Sequence, residues 1–248
     1  MRRKTFLAVW FSAPLLPIAV YGLRLGSVVN GYFLSVALGL AAYTWFCGLL
    51  VLNSKPAYAL KALGPEGLAT LMAKTPILIL GLSVLHRILK IGLFAYSGPE
   101  SLPRSFLASL GVTLKRGMIF GVATTENVLG FLLLLLFLVF SFLGLLYLQK
   151  KPGPGSLWGR LRDRIFSAGE WTAWGNLVLY IGTTGIAILA LVHILSASST
   201  SFAANPAGAI LLLGELAYGL FSWLGARIRE GWKAPLPGPL RGKAGPRA

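Results

Sequence analysis

From Val128 to Leu148 the chain is an unbroken run of Leu, Phe, Val, Gly, Ser and Tyr, with no charged side chain. A helix rises about 1.5 Å per residue, so roughly 20 apolar residues match a hydrocarbon layer about 30 Å thick. Five more apolar runs, bounded by Pro, Gly and charge clusters, extend over Phe6–Leu23, Gly31–Leu52, Leu71 to about Tyr96, Ala173–Leu195 and Ala207–Leu224. The pattern predicts an all-α integral membrane bundle of six transmembrane helices. Composition agrees. Charged residues are 12% of the chain, against roughly 25% in a soluble domain, while hydrophobic residues reach 56% and mean hydropathy is +0.74.

Six spans and short loops fill 248 residues and leave no room for a separate globular domain. The transmembrane domain is expected over residues 1–229. The last residues, EGWKAPLPGPLRGKAGPRA (230–248), are rich in Pro, Gly and Lys/Arg and read as a disordered, basic cytoplasmic tail. The loop SGPESLPRSFLASLGVTLKRG, between the third and fourth spans, has room for a short interfacial helix. The basic N-terminus is followed by an apolar stretch without a clear small-x-small cleavage site, so it reads as an uncleaved first span.

Orientation follows from Lys and Arg, which concentrate on the cytoplasmic side. Arg2, Arg3 and Lys4 precede span one, and Lys55, Lys61 and Lys74 lie between spans two and three. Lys150, Lys151, Arg160, Arg162 and Arg164 lie between four and five, and Arg227, Arg229, Lys233, Arg241, Lys243 and Arg247 follow span six. The opposite segments carry Arg24, then Lys90, Arg104, Lys115 and Arg116, and no basic residue in SASSTSFAANPAG. Both termini are therefore expected in the cytoplasm, with the chain multi-pass in the inner (plasma) membrane. A net charge of +16 raises nucleic acid as a partner, but the basic residues flank spans, where topology and anionic lipid account for them better. The lipid bilayer is the expected partner, and nucleic acid is not.

Soluble-enzyme chemistry finds little to work with. Cys47 is the single cysteine, so neither a disulfide nor a thiolate metal cluster forms within one chain, and a buried structural thiol is its default role. No P-loop, GxGxxG, HExxH or GxSxG motif occurs among two histidines and seven acids.

Both histidines, His86 and His193, fall in spans, where an ionisable side chain is costly and a functional candidate by default. Spans three and five enter the bilayer from the same side, and each histidine lies near the end of its span, so both are expected at one depth toward the outer leaflet. Two neutral imidazoles at one level on two helices are what bis-histidine ligation of a haem iron requires. The plainer alternative is that each hydrogen-bonds a neighbouring helix and that the match in depth is coincidence.

The segment LNSKPAYALKALGPEGLATLMAKTPILILGLSVLHRILK resembles the third-span region of the ferric reductase-like transmembrane domain family. The segment WTAWGNLVLYIGTTGIAILALVHILSA resembles its fifth span, where a tryptophan precedes a helix that ends in a ligand histidine. The likeness covers about residues 53–91 and 171–196. That family includes the haem-binding membrane subunits of bacterial methionine sulfoxide reductase systems. It implies haem-b proteins that move electrons across a membrane, usually through two stacked histidine pairs.

One pair carries over: His86 and His193 match the distal ligands. Fourteen residues on a helix turn about 1,400° and climb about 21 Å, which places Met72 and Leu179 in the other two slots. Leu179 cannot bind iron, and Met72 without a partner reads as packing. The expectation is a membrane haem-b electron-transfer protein with one haem between spans three and five, and no flavin or NAD site in the chain. As an oxidoreductase it would take electrons from a quinone pool or from a separate redox partner. The competing reading is a haem-free six-span relative acting as a transporter or structural membrane subunit.

Other residues have weaker claims. Arg87 and Lys90 follow His86 and could pair with haem propionates, or snorkel to headgroups. Trp171 and Trp174 suit an interfacial aromatic belt. Gly182 and Gly185, with Thr183 and Thr184, would let a helix or a flat porphyrin approach closely. Glu126 and Glu215 are the acids at or near membrane depth, able to pair with a basic residue or to carry protons.

Overall fold

The computed structural model describes residues 2–25, 31–97, 122–148, 156–158, 160, 173–196 and 203–229. The elements formed there are helices: α1 (Arg3–Ser12), α2 (Leu15–Leu25), α3 (Gly31–Asn53), α4 (Ala57–Ser97), α5 (Val122–Leu148), α6 (Ala173–Ser196) and α7 (Pro206–Arg229). Among the described residues, four stretches are long and apolar enough to cross a membrane: Arg3–Leu23, Gly31–Asn53, Ala57–Leu93 and Pro206–Arg229. Shorter apolar stretches, Val128–Val139 and Thr183–Leu195, lie in α5 and α6. The proposed interfacial helix and the basic tail lie outside the described residues.

Proline shapes the first run into two helices rather than one. Pro14 has no N–H, so the carbonyl of Trp10, four residues earlier, loses its helical donor. The indole Nε1 of Trp45 on α3 supplies one at 3.0 Å. The Trp10 ring in turn rests on Gly48, where a Cβ would stand 2.7 Å from two ring atoms. A glycine in the last third of α3 is thus what lets α1 dock.

Before the third span the chain departs from its expected polar loop. SKPAYALKALGPEG is largely helical, because Pro56 accepts the first backbone bonds of α4 through Ala59 and Leu60. The path bends at Gly64, whose φ of 70° and ψ of 169° lie outside the helical region. Glycine tolerates that positive φ, and Pro65 restarts the helix with no N–H to leave unsatisfied. Further along, Pro76 lies inside α4 and leaves the carbonyl of Met72 without its helical donor. Here Thr75 Oγ1 donates to the Leu71 carbonyl at 2.8 Å, and Ser141 Oγ of α5 donates to the Pro76 carbonyl at 2.8 Å.

Packing closes a ring: α3 on α4, α4 on α5, α5 on α6, α6 on α7, and α7 back on α3. α2 leans on α3 and α7, and α1 on α4. The main core joins Leu40, Phe46 and Leu50 of α3, Ile79 of α4, Leu133 and Phe137 of α5, Ala187 and Ala190 of α6, and Leu212, Leu216 and Trp223 of α7. A second cluster, Phe6, Trp10, Leu52, Ala59 and Leu68, ties α1 to the other end of the α3–α4 pair. There Arg227 of α7 is fully buried and its guanidinium donates to the carbonyl of Asn53, the last residue of α3, at 2.7 Å. A cation at a helix C-terminus meets carbonyls without helical donors and the negative end of the dipole.

Candidate histidine site between the helices

α3 and α4 run antiparallel, as two contacts show: Gly31 faces Leu93, and Ser35 faces His86. His86 Nδ1 lies 2.6 Å from the Ser35 carbonyl oxygen. A carbonyl only accepts, so Nδ1 carries the hydrogen and the neutral ring keeps its lone pair on Nε2. The Ser35 hydroxyl sits 3.1 Å from Nδ1 and donates to the His86 carbonyl at 3.4 Å. One turn along α3, Gly39 leaves space beside the ring, with a hypothetical Cβ 3.6 Å from Nδ1 and Cε1.

His193 of α6 is seated differently. Its ring lies directly on Gly130 of α5, where a Cβ would stand 2.8 Å from Cε1 and 3.4 Å from both nitrogens. No side chain larger than hydrogen fits there without moving the imidazole.

Contacts with α5 relate the two levels. Leu133 and Phe137 join the core that contains Ile79, Leu80 and Leu82, not the cluster around Leu68, so α5 runs antiparallel to α4. Ser141 stands beside Pro76. Ten residues along α4 lead to His86, and ten residues back along α5 lead to Phe131, each a climb of about 15 Å. Gly130 is therefore level with His86 to within about a turn, and the His193 ring on Gly130 shares that level. α4 and α6 both pack on α5.

A metal-bound histidine commonly gives its second N–H to a carbonyl, which fixes the tautomer and the ring's orientation, and His86 has that arrangement with Ser35. Arg87 and Lys90 are half-buried on α4 next to it. Met72 packs against the second apolar cluster, at the far end of α4. Cys47 is buried in the main core, as a structural thiol would be. Among the described residues no group of three or more His, Cys, Asp or Glu side chains gathers as a metal site.

A small cavity between α2, α3 and α7, lined by Tyr21, Leu40, Asn205 and Leu212 among others, touches neither histidine. Gly185 has no atom near its Cβ position, so among the described residues it is not a point of close helix approach. Trp171 and the side chains of Trp174, Leu179, Gly182 and Glu126 lie outside the described set.

Sequence reasoning passed over Ser35, Gly39 and Gly130. A serine alone in the first turns of an apolar span, in a helix antiparallel to the one carrying His86, was the available signal for the first. The glycines gave none, since which face they present depends on helix rotation. Comparison with family models, with curated proteins and with solved structures returns no match for this chain.

Proposed function

We propose that the chain is a six-span membrane protein with both termini in the cytoplasm, and that it transfers electrons through one haem b held by His86 and His193. It would thereby belong with the ferric reductase-like membrane proteins and act as an oxidoreductase subunit of the inner membrane. The observation that carries the proposal is the seating of His86. Its Nδ1–H is committed to the Ser35 carbonyl, at the level where His193 rests on Gly130.

When bound, haem supplies one-electron chemistry. The protein's residues have separate tasks. The Ser35 carbonyl fixes the His86 tautomer and makes the opposite nitrogen a better donor. Gly130 reserves the place of the His193 ring. Arg87 is placed to pair with a carboxylate at the membrane boundary, and the apolar core beneath keeps water from the site. With Met72 in apolar packing, the second histidine pair has no counterpart on α4. A single site on the outer side favours a lipid-soluble quinol or a separate redox protein as donor.

The test is the absorption spectrum of the purified protein expressed with ample haem. A Soret band is expected in the wild type and is lost in His86→Ala and in His193→Ala. A colourless wild type overturns the proposal.

A further inference from the structure

We propose a second site: Glu215 exchanges a proton within the bilayer, from a seat in the seam between α3 and α7 where Thr44 holds it. The proposal does not rest on haem. Ser35 and Thr44 are nine residues apart on α3, so this seam lies about 14 Å from the histidine level.

Glu215 is well inside the 24-residue α7, about 14 Å from Pro206 along the axis. Around the helix it stands at the border of two stripes. Leu212, Leu216, Gly219 and Trp223 are buried, while Tyr218 and Phe221 are exposed. Glu215 itself is half-buried, so the seam does not seal it off. Thr44 is buried, and its Oγ1 donates to Glu215 Oε2 at 3.0 Å.

Among the described residues the neighbours supply no counter-charge. Tyr43 and Cys47 are the titratable groups of α3 nearby, Tyr21 that of α2, His193 that of α6, and Tyr218 lies one turn along α7. Tyr43 already donates its hydroxyl to the Leu212 carbonyl at 2.9 Å, and Cys47 is buried in the core. Among the described residues the hydrogen-bond partner of Glu215 is Thr44, and no Lys or Arg is paired with it. A carboxylate in apolar surroundings without a cation is strongly disfavoured, and intramembrane acids of this kind mark proton pathways. A threonine hydroxyl can donate to a neutral acid's carbonyl oxygen as well as to a carboxylate, so the seat accommodates both forms. One hydroxyl and one carboxyl are too few oxygens to cage an alkali cation.

The step is a bare proton transfer. With Oε2 accepting from Thr44, the proton rides on Oε1. The Oε1–H bond breaks, its electron pair stays on oxygen, and the proton passes to a water molecule admitted between α3 and α7, since lipid supplies none. Nothing is oxidised or reduced.

Infrared spectra of the full chain in liposomes test this at neutral pH. The wild type is expected to show a carboxylic C=O band that Glu215→Gln removes and that shifts when water is replaced by D2O. Thr44→Val, which deletes the donor, should move the band to higher frequency, and this comparison stands if Glu215→Gln fails to fold. A wild-type spectrum without that band overturns the proposal, as does a band indifferent to D2O or to Thr44→Val.

Discussion

The seam between α3 and α7 and the contact between α5 and α6 both depend on a glycine, yet the two glycines face different things. At Gly219 a Cβ would stand 3.0 Å from the backbone carbonyl of Cys47 and 3.3 Å from the Leu50 side chain. At Gly130 it would stand 2.8 Å from the ring of His193. Backbone oxygen belongs to a rigid helix, whereas an imidazole can rotate about its own side-chain bonds. The first glycine therefore sets how closely two helices lie. The second holds open the position of one side chain. The shorter distance is not the more costly one.

Three substitutions put that comparison under strain. Gly219→Ala should have the largest effect on stability, about 1–3 kcal/mol, because relief requires moving a whole helix. A clear fall in the melting temperature of the detergent-purified protein would show it, and an unchanged value would break the contrast. Gly130→Ala should cost less, about 0.5–1.5 kcal/mol for a strained rotamer. On the proposed haem ligation its signature is a weakened or shifted Soret band, as His193 is pushed from its place. Gly39→Ala should do least. Its Cβ would sit 3.6 Å from His86, an ordinary contact, so stability should change by no more than about 0.5 kcal/mol with the spectrum intact. A large effect here would mean that the two histidine seats are more alike than their geometry indicates.

Much of the architecture was legible in the sequence because lipid imposes a simple rule: apolar segments near 20 residues become helices. Each of the six apolar runs contains a helix in the structure, though the first is split at Pro14 and the third begins earlier than its hydropathy does. SKPAYALKALGPEG read as a loop because its charges and prolines dominate the local signal. It folds as helix because Pro56 and Pro65 both sit at helix starts, where a missing N–H costs nothing. The partners of the histidines were harder to read. That Ser35 faces His86 depends on the rotation of α3 about its axis, which hydropathy does not encode. Gly182 and Gly185 drew attention for lying beside two threonines, while the glycines that meet an imidazole, Gly39 and Gly130, lie among leucines and alanines with no local mark.

The indole of Trp45 bears on the order of assembly. In a bilayer a carbonyl without a donor has no water to turn to, and Pro14 leaves the Trp10 carbonyl in that position. Its donor arrives only with α3, 35 residues later in the chain. The first apolar stretch thus carries a polar debt that its neighbour discharges, and the two should become stable as a pair. A chain truncated before Trp45 would expose that carbonyl and an unsupported bend together.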